Sequence, residues 1–263
     1  MDLKLKNKVA LVCAASEGLG KAAALEFARE GAKVAICSRD KVKLNLAKKE
    51  ISEASKSKIV TFTADLRKLK EIEKLHTELT KKIGTVEILV NNVGGPPPGT
   101  FEELEDKDWQ DAINLTMMSA LRMSHLVLPA MKEKKWGRII NISSVSVKTP
   151  VTNLFLSNSI RLGVLGWAKA LSDEVGEYGI TVNTVCPGNT RTNRIKSLFL
   201  DRSKSSGKTP EEIETLTAMS IPMKRIGEPE ELAALIAFLA SERASYMTGL
   251  AIQVDGGSAR GYY

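Results

Sequence analysis

Along the 263 residues of this chain, short runs rich in β-branched residues alternate with longer stretches in which apolar residues recur at helical spacing. The nearly uninterrupted apolar runs fall at 9–12, 34–37, 59–63, 88–90, 139–142, 181–185 and 250–254. Runs of this length fit strands covered on both faces, as in a parallel sheet clad in helices. Between them the helical pattern occupies 19–30, 41–54, 69–83, 108–131, 157–178 and 229–239, with Gly31 placed to stop the first. Strand and helix in alternation imply right-handed crossovers, so the expected fold is α/β and doubly wound. Seven runs predict a seven-stranded, mainly parallel sheet flanked by helices.

The rhythm breaks over 191–227. A polar stretch, Asp201-Arg202-Ser203-Lys204-Ser205-Ser206-Gly207-Lys208, precedes Thr209-Pro210-Glu211-Glu212. There Thr209 can cap a helix, Pro210 suits its first turn and Glu212 completes a capping box. The segment reads as a mobile lid carrying short helices, inserted before the last crossover of a single domain spanning 1–263.

Composition narrows the function classes. A chain of this length can bury about three quarters of its unfolded surface without staples. Its 43% hydrophobic and 26% charged residues are those of a globular protein. Cys13, Cys37 and Cys186 are too few and too scattered for a disulfide framework or a zinc cluster, and no metal site is expected. Each lies in or beside an apolar run, as a buried inert thiol would. Residues 1–6 have no apolar core behind their charges, and no 18-residue apolar stretch offers a membrane span. The expectation is a soluble cytoplasmic protein with no membrane partner. The formal charge of +7 invites a nucleic-acid reading. Yet bases alternate with acids, as in Lys132-Glu133-Lys134-Lys135, which fits a solvated surface and no specific nucleic-acid partner.

Candidate chemistry begins where the first apolar run enters Cys13-Ala14-Ala15-Ser16-Glu17-Gly18-Leu19-Gly20 and a helix starts. Glycines in such a turn let the backbone approach a pyrophosphate, and the helix N-terminus supplies amide donors. Alanine sits comfortably only at negative φ, so Ala14 is expected to alter the turn slightly. The second run ends at Cys37-Ser38-Arg39. Ser38 stands where an acidic residue would accept the adenosine ribose hydroxyls of NAD, and Arg39 is able to pair with a 2′-phosphate. NADP(H) is therefore expected over NAD(H), although the carboxylate of Glu17 would repel phosphate.

These residues, in this order with others, resemble the short-chain dehydrogenase/reductase family. The turn is similar to its Thr-Gly-x-x-x-Gly-x-Gly, with Cys13 and Ala14 as departures. Asp65-Leu66 resembles the pair that holds the adenine, and Asn91-Asn92-Val93-Gly94 resembles Asn-Asn-Ala-Gly. Ile139-Ile140-Asn141-Ile142-Ser143-Ser144 resembles the strand that ends in the catalytic serine. Pro187-Gly188-Asn189-Thr190-Arg191-Thr192 resembles the turn that contacts the nicotinamide half, and 247–257 the C-terminal strand and its exit. The resemblance covers nearly the whole chain. It implies a Rossmann-type domain, a homotetramer or at least a homodimer, and a small-molecule or acyl substrate. The helices 108–131 and 157–178 would form one interface, supported by the apolar run Leu126-Val127-Leu128. It also implies cofactor contacts at Ser16, Gly18, Leu19, Gly20, Ser38, Arg39, Asp65, Leu66, Asn91, Gly94, Arg161, Pro187, Gly188, Thr190 and Thr192. Asn114 and Ser144 align with the catalytic asparagine and serine.

At the family's Tyr-x-x-x-Lys the chain reads Ser157-Asn158-Ser159-Ile160-Arg161, like a 3-oxoacyl-carrier-protein reductase-like subgroup with Ser-x-x-x-Arg. Serine is a far weaker acid than tyrosine, and arginine keeps its charge without shuttling protons. Substitute donors are scarce. His76 and His125 fall inside expected helices, Tyr178 at a helix end and Tyr246 before the last strand. Tyr262 and Tyr263 form the C-terminus, which in family tetramers can approach a neighbouring site. The first reading is an oxidoreductase with catalytic residues Asn114, Ser144, Ser157 and Arg161 and an atypical proton route. The alternative is a catalytically impaired NADP-binding regulatory or assembly protein.

Overall fold

Each apolar run becomes a strand in the computed structural model, which describes residues 2–261. These are β1 (Val9–Val12), β2 (Lys33–Ser38), β3 (Val60–Thr63), β4 (Ile88–Asn91), β5 (Gly137–Ile142), β6 (Ile180–Pro187) and β7 (Ala251–Val254). They form one sheet in the order β3-β2-β1-β4-β5-β6-β7. Every neighbouring pair is parallel, so the sheet expected to be mainly parallel is wholly so. A parallel neighbour requires a crossover, and helices supply them on both faces.

The strands sort their side chains between two cores. Ala10 and Val12 of β1 point into one with Phe27, Leu44 and Ile236. Val9 and Leu11 point into the other with Ile72, Leu75, Met123 and Leu171. This is the two-residue period of a strand buried on both sides. The flanking helices are α1 (Gly18–Arg29), α2 (Lys41–Ser55), α3 (Leu69–Ile83), α4 (Asp106–Ala112), α5 (Ser119–Lys134), α6 (Phe155–Val175) and α9 (Pro229–Ala240).

One expected helix is broken. The stretch 108–131 is divided into α4 and α5 by a π-helical turn, Ile113–Met118. Polar side chains compete for its carbonyls: Asn114 donates to Gln110 O and Ser119 to Leu115 O. A π turn adds one residue to the coil and rotates the helix beyond it, which changes which residues face inward.

Segment 191–227 carries α7 (Asn193–Ser206) and α8 (Pro210–Ser220). The capping box is present: Glu212 N donates to Thr209 Oγ1 at 3.2 Å, and Thr209 N to the Glu212 carboxylate at 2.8 Å. α7 runs on through the polar stretch to Ser206, longer than the short helix expected there. Ile195, Phe199, Ile213, Ile221 and Ile226 give this segment an apolar cluster of its own. All three cysteines are free and buried. Among the described residues no helix is long and apolar enough to cross a membrane. Tyr262 and Tyr263 lie outside the described residues.

Candidate active site

The chain leaves β1 toward β2 and β3, then returns to place β4 on the other side of β1. Such a reversal opens a crevice at the carboxyl edge of the strands, where open α/β sheets bind ligands. A cleft of about 720 Å³ lies there, within the range of pockets that hold small molecules and cofactors.

Its floor is the turn after β1. Ala15 N donates to Cys37 O at 3.1 Å and Cys13 N to Val90 O at 3.0 Å, which ties the turn to β2 and the end of β4. Ala14 adopts φ 45°. The turn does not shift to spare this alanine, as its preference for negative φ led us to expect; it keeps the left-handed geometry and places the strain on Ala14. An L-residue held left-handed costs roughly 1–2 kcal/mol. Glycine gives back part of that gain through its looser unfolded chain. Ala14→Gly should therefore stabilise the fold by about 0.5–1 kcal/mol, read as a small rise in Tm by calorimetry; an unchanged or lower Tm would show that the alanine is unstrained.

Gly18 (φ 57°) faces Thr192, whose Cγ2 lies 3.3 Å from where a Cβ would stand. Glu17 begins α1 without a side-chain cap. The first amides of the helix thus stay available to an anion in the cleft. Gly20 does not line the cleft. A Cβ there would meet Ala14 O at 2.7 Å and Asn92 Nδ2 at 2.8 Å, so this glycine lets helix and turn approach.

At the end of β2, Ser38 and Ser16 share a hydrogen bond of 3.0 Å. The next acid along the chain, Asp40, is spent on capping α2: its Oδ1 accepts from Val42 N and Lys43 N. Arg39 is exposed and forms no ion pair among the described residues. Glu17, whose charge argued against phosphate, is answered by Lys43 Nζ at 3.1 Å and by Asn193 Nδ2 at 3.0 Å. Lys43 lines the cleft here, although no motif in the sequence singles it out. Asp65 also lines it, with its carboxylate gripped by Arg67 at 2.7 Å. That hydrogen-bonded guanidinium holds the Asp65 pKa below the usual carboxylate range against the opposing effect of burial.

The opposite end is built by the exit of β5 and by α6. Ser144 lines the cleft, and its Oγ accepts from Ser146 N at 3.1 Å. Ser157 and Arg161 sit one helical turn apart, and both are buried, at 7% and 8% exposure. Arg161 Nε donates to Ser157 Oγ at 3.1 Å, and Nη1 to Ile142 O at 3.2 Å and Ser143 O at 3.0 Å. Arg161 has no ion pair among the described residues. Burial, aided by repulsion from Arg194, brings its pKa down to about 10.

Beside Arg161 lies a cavity of about 20 Å³ that shares Leu66, Asn92, Val93, Ile142, Ser143 and Arg161 with the cleft, room enough for one water. Thr116 Oγ1, Asn141 Nδ2 and Ser143 Oγ, all on its lining residues, have no hydrogen-bond partner among the described residues.

Besides Gly20, two expected site residues do not line the cleft. Asn114 lines neither space; its amide turns back along the helix to Gln110 O at 3.0 Å. Thr116 lines the inner cavity instead, on the π turn itself, where the residues that face inward are not those of a regular helix. Asn91 is a buried strap: its Nδ2 donates to Ser124 Oγ at 3.1 Å and Asn141 Oδ1 at 2.9 Å. Its neighbour Asn92 is the one that lines the cleft. Ser16, Gly18, Leu19, Ser38, Arg39, Asp65, Leu66, Gly94, Ser144, Ser157, Arg161, Pro187, Gly188, Thr190 and Thr192 all line that one space. His76, His125, Tyr178 and Tyr246 do not.

A family model described as enoyl-(acyl carrier protein) reductase matches residues 13–259. The 3-oxoacyl-(acyl-carrier-protein) reductase FabG of Vibrio cholerae is 33% identical over 255 residues, covering 97% of this chain and 98% of its own. L-sorbose reductase from Gluconobacter frateurii, solved with NADPH and L-sorbose, superposes with a TM-score of 0.94 at 30% identity, over 99% of this chain and 100% of that one. Actinorhodin polyketide ketoreductase, solved as a variant with NADPH, gives a TM-score of 0.94 at 33% identity, over 97% and 98%.

Proposed function

Because the chain belongs to the short-chain dehydrogenase/reductase family, we propose that this oxidoreductase interconverts a carbonyl and a secondary alcohol, 3-oxoacyl reductase-like, with NADP(H), by a proton route that needs neither tyrosine nor lysine. One observation carries the proton route. Glu17, Asp40, Lys43 and Asp65 line the cleft on the side of β1, β2 and β3, while Ser144, Ser157 and Arg161 line it on the side of β5 and β6. That second side presents no carboxylic acid, imidazole, phenol or ammonium among its described lining residues.

The nicotinamide cofactor supplies or takes the hydride. The chain's own part is to hold the substrate oxygen and manage its charge. Arg161 donates into Ser157 Oγ, so the serine hydrogen is free to point at the substrate oxygen, with the Ser144 hydroxyl beside it. Neither serine is acid enough to give up that proton. The buried guanidinium, cationic below about pH 10, favours an oxygen on which negative charge develops. A water in the cavity beside Arg161, which Thr116, Asn141 and Ser143 would hold, would give its proton to that oxygen and regain one from solvent, so that no hydroxide is left behind. Arg161, whose Nη2 carries none of its hydrogen bonds to Ser157, Ile142 and Ser143, would also hold the ribose hydroxyls of the cofactor.

This predicts a distinctive pH profile. Carbonyl reduction should be level above neutrality and fall as pH rises through about 10, where Arg161 loses its proton. A phenol-dependent enzyme would lose its proton donor at lower pH, so a break between pH 7 and 9 in kcat/KM would count against this route.

NADPH consumption with a panel of 3-oxo compounds and other ketones tests the function itself. Binding of NADPH without turnover on any of them would leave the alternative, a cofactor-responsive regulator. Assembly as a homotetramer, or at least a homodimer, in the cytoplasm belongs to the same reading. Of Leu126-Val127-Leu128, Val127 is buried in the core, while Leu126 and Leu128 pack against it and keep part of their surface for a partner. The half-exposed Leu162 and open Gly166 of α6 add to that face. Light scattering at micromolar concentration should report two or four chains; a monomer would end this part of the proposal.

A further inference from the structure

We propose that Arg194 reads an anionic group on the substrate, so that this site takes small carbonyl compounds bearing a carboxylate. The inference rests on the carbonyl–alcohol reading above and adds the substrate class to it.

The basic residues of 191–208 are sorted by the structure. Arg191 is tied to Glu214 and Glu228, and Lys204 to Asp201 at 3.0 Å. Lys196 and Lys208 are exposed and do not line the cleft; Arg194 and Arg202 do. Arg194 belongs to the first turn of α7, which Thr192 caps by accepting from Ile195 N at 3.3 Å. Its guanidinium reaches to the opposite wall, where Nη2 donates to Pro96 O at 2.8 Å. Nε and Nη2 each lie 3.0 Å from where a Cβ of Gly95 would stand, so a larger residue there would push the group aside.

This hydrogen bond uses one N–H of five. Arg194 forms no ion pair among the described residues, and Asp201, the carboxylate whose field reaches it, is already paired with Lys204. Much of the side chain still touches solvent, while its burial against the wall lowers its proton affinity. Arg161 stands close enough for the two charges to repel. Arg161 and Arg194 therefore share one part of a cleft that Arg202 also lines, and its lining acids Glu17, Asp40 and Asp65 are held by Lys43, the first amides of α2 and Arg67. Val145, Val151, Leu154 and Leu198 line the same end. The complementary molecule has an oxygen at Ser144 and Ser157, an apolar body against these side chains, and an anion at Arg194. A carboxylate matches the planar fork of arginine.

The test compares pyruvate, acetoacetate and levulinate with their methyl esters, three spacings between carbonyl and carboxylate. With the NADPH-loaded protein, at least one acid should exceed its ester about tenfold or more in kcat/KM, as a charge-assisted pair implies. Arg194→Met should bring that ratio close to one, and Arg194→Lys should restore part of it. Calorimetric titration of the same acids and esters into the NADP-loaded protein needs no turnover. Acid-selective binding lost in Arg194→Met would uphold the inference even if the carbonyl–alcohol reading failed. Equal acid and ester in both measurements would overturn it. So would an Arg194→Met variant that weakens NADPH while keeping the acid-to-ester ratio, because the arginine would then serve the cofactor's pyrophosphate.

Discussion

Ser157→Tyr combined with Arg161→Lys is expected to raise turnover of a simple ketone by about 10²–10⁴, the range that a positioned general acid contributes. A phenol has a reference pKa near 10, and a neighbouring ammonium brings it into a useful range. Ser157 is buried yet lines the cleft, so a larger side chain has a direction in which to extend. Either single change should do less. With Ser157→Tyr alone, the guanidinium remains pinned to Ile142 O and Ser143 O and lacks the compact charge that tunes the phenol. With Arg161→Lys alone, no acid stands beside the substrate oxygen. Adding Ser144→Ala should abolish the gain. A folded double variant, verified by thermal melt, that binds NADPH but turns over no faster would refute this assignment of positions. Fast turnover by the unaltered protein would show that its own proton route is already efficient.

Arg39→Ala should weaken NADPH binding roughly tenfold or more and leave NADH nearly unchanged, since a charged hydrogen bond is worth about 1.5–3 kcal/mol and exposure favours the lower end. Three features converge on this corner. Ser38 leaves the acidic position empty, Asp40 is committed to capping α2, and Lys43 neutralises Glu17. Fluorescence titration of both reduced cofactors gives the answer. NADH bound more tightly than NADPH by the unaltered protein would reverse the preference altogether.

The sheet was legible because a strand buried on both faces writes itself as a continuous apolar run. The seven runs and the parallel crossovers between them needed nothing beyond the sequence. What escaped was local geometry set by competition between polar groups. No pattern of apolar residues announces that Asn114 and Ser119 will bond back to helix carbonyls and open a π turn, so Thr116 stayed hidden behind Asn114. The conformation of Ala14 is imposed by β2 and β4 on either side, and a residue's own preference does not reveal it. Leu126-Val127-Leu128 reads equally well as interface or core, and only packing separates the two. Likewise six basic residues of 191–208 look alike in the sequence. Glu214 and Glu228 take up Arg191 and Asp201 takes up Lys204, while Lys196 and Lys208 lie off the cleft, which leaves Arg194 and Arg202 on its lining.

The strand order β3-β2-β1-β4-β5-β6-β7 also sets a timetable for the newly made chain. Val12 sits beside Ile36 and Val90, so its first neighbour is synthesised soon after it and its second only after the whole β2 to α3 excursion. Docking of such distant segments is slow, and it leaves strand edges unpaired while they wait. The nucleotide half of the cleft can therefore assemble early, while Ser144 and Arg161 gain their floor only when β6 joins β5. In refolding experiments, recovery of NADPH fluorescence enhancement should lag behind recovery of helical circular dichroism, because the ligand reports the last strands to arrive.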